Sequence, residues 1–164
     1  MNPILNKTIL NKADAVELLN ISTKSSEFYE LIGKSNALSR ELFKNKGYIF
    51  AQIGINTAQC SGNCKFCSLA KDGYAVNSET EKSLEDIIAQ AKYITENNVA
   101  ALFLMTTADY DKETFLTIVS EVKKVIPAGT ALVANIGDFD LEFARRMKKA
   151  GLTGAYHIVR LNEG

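Results

Sequence analysis

Apolar residues recur along this chain in two rhythms that take turns. One has helical intervals of three and four residues; the other is a run of five to eight consecutive apolar or β-branched residues. Behind Asn11, the positions Ala15, Leu18 and Leu19 predict a short helix over residues 12–20. Phe28, Leu31, Ile32, Leu38 and Leu42 predict a longer one from Ser25 to Lys46, weakened by Gly33 and stopped by Gly47. The first run, Tyr48 to Ile55, predicts a strand. From there the rhythms alternate regularly.

Ser83 reads as the cap of a helix whose buried stripe is Leu84, Ile87, Ile88, Ala91 and Ile94, up to Asn97-Asn98. Val99 to Met105 is an almost unbroken apolar run, as expected of a parallel strand covered on both faces. The polar loop Thr106-Thr107-Ala108-Asp109-Tyr110 follows. Asp111 then caps a helix carrying Phe115, Ile118, Val119 and Val122, and Pro127-Ala128-Gly129 breaks the chain before a strand from Ala131 to Ile136. Gly137-Asp138-Phe139-Asp140 leads to a helix marked by Leu141, Ala144 and Met147, which Gly151 ends before a strand from Gly154 to Arg160.

Strand and helix in strict alternation predict an α/β protein built of right-handed βαβ units: a parallel (β/α) partial TIM-type barrel with about four β/α units after N-terminal helices. The expected division is an N-terminal helical segment over residues 1–47 and the barrel part over residues 48–164. A complete eight-unit barrel needs about 250 residues. At 164 residues the chain reads as the N-terminal portion of such a protein, truncated after the fourth strand. A small four-stranded parallel domain with open sheet edges is the other reading.

Composition narrows the class of function. Nineteen basic and nineteen acidic residues cancel, so no basic field argues for nucleic acid and no polybasic segment for an anionic membrane. The N-terminus lacks a basic region followed by a long apolar run, and no segment approaches the length of a membrane span. A cytoplasmic protein is expected. All three cysteines fall in Cys60-Ser61-Gly62-Asn63-Cys64-Lys65-Phe66-Cys67, an odd number in one short loop, which fits a metal site in a reducing compartment better than a disulfide framework.

Three thiols at spacing C-x3-C-x2-C can converge on one soft centre. On a cubane iron–sulfur cluster they would ligate three irons and leave the fourth open to a substrate or cofactor. Zinc is the competing occupant, but it ordinarily takes four protein ligands, and the only histidine, His157, stands roughly ninety residues downstream.

The cysteine spacing, the aromatic Phe66 before the last cysteine, and the strand Phe50-Ala51-Gln52-Ile53-Gly54-Ile55-Asn56 leading into the loop resemble the cluster motif of the radical S-adenosylmethionine (radical SAM) superfamily. The resemblance is to its biotin synthase-like branch. It implies a 4Fe-4S cluster on Cys60, Cys64 and Cys67, with S-adenosyl-L-methionine chelating the open iron. It also implies reductive cleavage of that cofactor to a 5′-deoxyadenosyl radical, which abstracts a hydrogen from a small-molecule substrate. The implied electron source is an external donor of the flavodoxin or ferredoxin type; neither nucleic acid nor membrane is an expected partner.

The same resemblance distributes further cofactor-binding roles. Phe66 lies against the adenine or anchors the loop. Thr106, Thr107 and Ala108 stand where related enzymes carry a glycine-rich turn whose backbone receives the cofactor's amino group. The acid that follows, Asp109, is either part of that turn or a helix-start residue. Asn135, polar among apolar neighbours at a strand's C-terminal end, is a candidate lining residue, and Asp138 faces the cofactor or supports its turn. On the last strand, His157, Arg160 and Glu163 are candidates for contacts with the ribose, the carboxylate or the substrate. Alternation places Tyr156 and Arg160 on one face and His157 on the other, so the register decides between Arg160 and His157, with Arg160 preferred.

No catalytic side chain beyond the cluster is identified. A non-catalytic metal-binding or redox domain, or an inactive truncated fragment, is the alternative.

Overall fold

The structure is a computed structural model that describes residues 2–157. The chain forms two compact units, Met1–Gly47 and Tyr48–Gly164.

The first unit is helical. After a 3-10 turn, Pro3–Asn6, helix α1 (Lys12–Leu19) starts at a reciprocal cap. The Asp14 N–H donates to Asn11 Oδ1 at 2.9 Å, and the Asn11 N–H donates to Asp14 Oδ2 at 3.0 Å. The hydrogen bond from Lys7 Nζ, 2.6 Å from Asp14 Oδ1, and that from the Asn11 N–H hold the Asp14 carboxyl below its ordinary pKa. Helix α2 (Ser26–Phe43) begins at the Ser25 cap as its sequence pattern predicts, but it ends before Gly47. Lys44 and Asn45 take left-handed backbone angles, with φ of 53° and 58°, and stop it there. Asparagine accepts that conformation more readily than most residues, whereas the lysine marks a locally strained turn. None of the residues of α2 is buried.

The second unit alternates strand and helix: β1 (Phe50–Gly54), α3 (Leu84–Thr95), β2 (Ala101–Met105), α4 (Lys112–Val125), β3 (Ala131–Asn135), α5 (Leu141–Ala150) and β4 (Gly154–Tyr156). The strands form one sheet in the order β1-β2-β3-β4, each pair parallel. This is the α/β, partial-barrel architecture expected from the alternating rhythms.

The strands are shorter than their apolar runs, because Tyr48, Ile49 and Val99 precede the ladder and Ile55 and Ile136 extend past it. Ser83, Asp111 and Asp140 cap α3, α4 and α5, each accepting from the backbone N–H three residues on. Gly151, with φ of 114°, closes α5. Hydrogen bonds from Thr114 and the neighbouring backbone keep the Asp111 carboxyl below its ordinary pKa, so this cap weakens only as the pH falls into the acid range.

Period-two alternation gives the sheet two different faces. Ile53, Leu102, Leu104, Leu132 and Ala134 point to one side and pack with Ile87, Ala91, Phe115, Val119, Val122, Phe143 and Met147 of α3, α4 and α5. The other side carries Gln52, Phe103, Val133 and Gly154 in one row, and Gly54, Met105, Asn135 and Tyr156 in the next. The expectation that Val99 to Met105 is buried on both faces is therefore corrected: Leu102 and Leu104 are fully buried, while Phe103 and Met105 are only half-buried. Rings bridge this second face, with Phe50 edge-on to Phe103 at 6.1 Å and Phe103 stacked on Tyr156 at 5.4 Å between centroids.

Candidate functional site

At the C-terminal ends of β1, β2 and β3 the second face of the sheet opens into a cavity of about 640 Å³. In β/α folds these ends carry the chemistry, because the loops that follow the strands converge there. Its wall is built from Gln52 and Gly54 of β1, Met105 of β2 and Asn135 of β3, from Thr106 and Thr107 beyond β2, and from the segment Asn56–Val76 that contains the three cysteines.

Cys60, Cys64 and Cys67 all line this cavity and are all half-buried, and no disulfide joins them. Their loop folds back on itself: the Cys60 N–H donates to Leu69 O at 2.8 Å, Lys71 N–H to Gly62 O at 3.0 Å, and Cys67 N–H to Cys64 O at 3.0 Å. Asn63 Nδ2 donates to Asp72 Oδ2 at 2.7 Å across the loop's neck. The Gly62 N–H donates to Cys60 Sγ at 3.4 Å, the kind of contact that tunes a thiolate ligand.

Among the described residues, no group of three His, Cys, Asp or Glu side chains is arranged to hold a single metal ion. What the thiols share is the wall of a cavity large enough for a small-molecule cofactor. Three soft donors on that wall fit a polynuclear iron–sulfur centre with a ligand beside it.

The predicted cofactor-binding residues are placed as follows. Phe66 lines the cavity yet is 84% exposed, an apolar ring standing at the rim. Thr106 lines it too, and its Oγ1 is buried without a hydrogen-bond partner. Thr107 is buried, with its polar side chain and N–H both engaged: Asn56 Nδ2 donates to Thr107 Oγ1 at 2.8 Å, and the Thr107 N–H donates to Asn56 Oδ1 at 3.0 Å.

Ala108 does not line the cavity; its carbonyl oxygen lies against Gly137, where a Cβ would sit 1.8 Å away. Asn135 lines the cavity, and its carbonyl accepts from the Thr106 N–H at 2.9 Å. His157 is not part of the lining. It stacks on Phe139 at 4.5 Å, with Nε2 3.8 Å from Asp138 Oδ1. Tyr156, its neighbour, faces Phe103 instead, as alternation requires. Arg160 and Glu163 lie outside the described residues.

Two features of the site escaped the sequence reading. Asn56 ends the strand that leads into the cysteine loop, and its amide fastens the loop after β2 to that strand end. A polar residue closing an apolar strand was the available signal. Asn56→Ala strips the buried Thr107 of both its hydrogen bonds to Asn56 and is expected to lower stability by about 1–3 kcal/mol, read from denaturant midpoints at unchanged slope.

Asp109, weighed as a helix-start residue, is not one: Asp111 caps α4, and the Asp109 carboxylate reaches the cysteine loop instead. Beside it, Tyr110 donates its hydroxyl to Glu81 Oε1 at 2.6 Å. Burial and the Glu81 carboxylate push the Tyr110 pKa well above the ordinary phenol range, so this tie persists through neutral and mildly alkaline pH.

Comparison with known proteins agrees with this architecture. The chain is 26% identical over 164 residues to the biotin synthase of Clostridioides difficile (strain 630), an alignment covering 96% of this chain and 50% of the relative. It is 30% identical over 139 residues to the biotin synthase of Ehrlichia canis (strain Jake), covering 80% of this chain and 42% of the relative. The chain is similar to radical SAM enzymes of the biotin synthase-like branch.

Its fold is also that of methylornithine synthase (PylB), with a TM-score of 0.77 at 18% identity, covering 93% of this chain and 44% of that one. The FeFe-hydrogenase maturase HydG from Carboxydothermus hydrogenoformans matches with a TM-score of 0.68 at 19% identity, covering 89% of this chain and 34% of that one. No family model matches the chain. It spans about half the length of the curated relatives it matches. No helix among the described residues is long and apolar enough to cross a membrane.

Proposed function

We propose that the chain is the cluster- and cofactor-binding part of a radical SAM enzyme of the biotin synthase-like branch, with residues 48–164 forming its barrel part after the helical segment 1–47. The observation that carries this reading is the meeting of Cys60, Cys64 and Cys67 with Thr106, Thr107 and Asn135 around one cavity at the strands' C-terminal ends. In this reading the cysteine thiolates hold three irons of a 4Fe-4S cluster, and S-adenosyl-L-methionine occupies the cavity beside it. When bound, this pair supplies reductive cleavage to a 5′-deoxyadenosyl radical, which abstracts a hydrogen from a small-molecule substrate.

The chain's own residues bind, orient and exclude water. Thr106 Oγ1, buried and unpartnered, offers the cofactor's polar methionyl end a hydrogen bond that no protein group takes. Asn135 brings an amide to the same wall, and the Asn56–Thr107 pair keeps that wall in place. Phe66 at the rim has an open face for the adenine. Ala108, away from the cavity, supports the turn. His157, Arg160 and Glu163, which follow β4 in sequence, stand as the candidates for contacts with the ribose, the carboxylate or the substrate. The electron comes from a flavodoxin- or ferredoxin-type donor in the cytoplasm.

The test is anaerobic reconstitution of the chain with iron and sulfide. About four irons per chain are expected, as one cubane requires. Dithionite reduction with S-adenosyl-L-methionine should then yield 5′-deoxyadenosine, quantified chromatographically. A chain that takes up zinc while binding neither iron nor S-adenosyl-L-methionine would overturn the reading.

A further inference from the structure

We propose that Asp109 is a positioning residue that fixes the cysteine loop from the neighbouring β/α unit and adds a negative charge beside the first cluster ligand. The inference rests on the reading above, in which the cysteines hold a cluster. Asp109 Oδ2 accepts from the Ser61 N–H at 2.7 Å, and Oδ1 accepts from Ser61 Oγ at 2.7 Å, across 48 residues of sequence. Both oxygens of one carboxylate are thus spent on the residue next to Cys60. Charge-assisted bonds of this length are roughly twice as strong as neutral ones and fix direction as well as distance.

The tie decides which backbone N–H meets the sulfur. Because the Ser61 N–H is held by Asp109, the next one along, from the buried Gly62, is the one that donates to Cys60 Sγ. Two further bridges attach the same loop on either side of Asp109. Thr107 holds Asn56 before the cysteines, and Tyr110 holds Glu81 after them. Asp109 therefore acts at the middle of a three-point seam, where it bears on the ligand loop itself. A carboxylate one residue from a ligand, together with the N–H···S contact it selects, sets how readily the bound centre accepts an electron.

Amide hydrogen exchange on the full metal-free chain tests the tie directly. In Asp109→Ala the amides of Ser61 and Gly62 are expected to exchange roughly tenfold faster, the size implied by losing a hydrogen bond to a charged group. Ser61→Ala, which keeps the backbone bond, should fall between that variant and the parent. Asp109→Asn can still accept from the N–H and donate to Ser61 Oγ, and should restore most of the protection. In the reconstituted protein, Asp109→Asn should shift the midpoint potential of the cluster positive, an effect that a purely structural role would not produce.

Unchanged exchange at Ser61 in Asp109→Ala, or an unmoved potential in Asp109→Asn, would overturn the inference. A parent chain that binds no iron would defeat the cluster reading instead, and the exchange measurement would still decide whether Asp109 holds the loop.

Discussion

Cys60→Ser, Cys64→Ser and Cys67→Ser should each reduce bound iron from about four per chain to below one, because a cubane that leaves one iron for an external ligand has no spare protein ligand. Serine keeps the volume while its alcohol is a far poorer donor to iron than a thiolate. None of the three cysteines belongs to the packed core between the sheet and α3, α4 and α5. Far-ultraviolet circular dichroism and the unfolding midpoint of the metal-free chain should therefore stay where they are. Lys65→Ala, in the same loop, should retain the parent's iron, since Lys65 is exposed and is not among the cavity-lining residues. Full iron content in all three serine variants would remove the cysteines from the site.

Gly137→Ala should be the most disruptive conservative substitution in the β/α unit. A Cβ at this position would lie 1.8 Å from the Ala108 carbonyl oxygen and 2.8 Å from its carbon, which are backbone atoms with no rotamer to yield. The loop after β2 has to move, and overpacking of this kind costs about 1–3 kcal/mol or more. That loop carries Thr106 and Thr107 to the cavity wall and Asp109 to Ser61. The variant should thus lose affinity for S-adenosyl-L-methionine and for the cluster as well as stability. Gly33→Ala is the control: nothing lies within 4 Å of its Cβ position, and α2 should gain up to about 1 kcal/mol. Equal midpoints for the parent and Gly137→Ala, with unchanged iron content, would show that the close approach is not needed.

The parts of this molecule that were legible in sequence are those encoded by local pattern. Leu84, Ile87 and Ala91, or Phe115, Val119 and Val122, carry a helical period that only one buried face explains, and Ser83 and Asp111 announce the starts of their helices. The cysteine spacing pointed to the candidate site, and the three cysteines do line one cavity, because one short loop brings its side chains to one place. What stayed hidden depends on contacts between residues far apart in sequence. Nothing near Asp109 shows that it reaches Ser61, and nothing near Gly137 shows that Ala108 presses against it. The end of α2 is hidden from the sequence for a different reason: Gly47 is the better left-handed residue, yet Lys44 and Asn45 adopt that conformation first.

The two faces of the sheet bear differently on how this chain can change over time. Leu102, Leu104 and Leu132 sit in a packed layer, where shortening a side chain to alanine costs about 2–5 kcal/mol. Gln52, Met105 and Asn135 lie on the opposite face of the same sheet and line the cavity, half-buried or exposed. Substitutions at these positions alter the polarity of the cavity wall while leaving the packed layer untouched. Drift in ligand preference is thereby uncoupled from loss of the fold, and a single strand can hold one set of residues constant while the residues between them diversify.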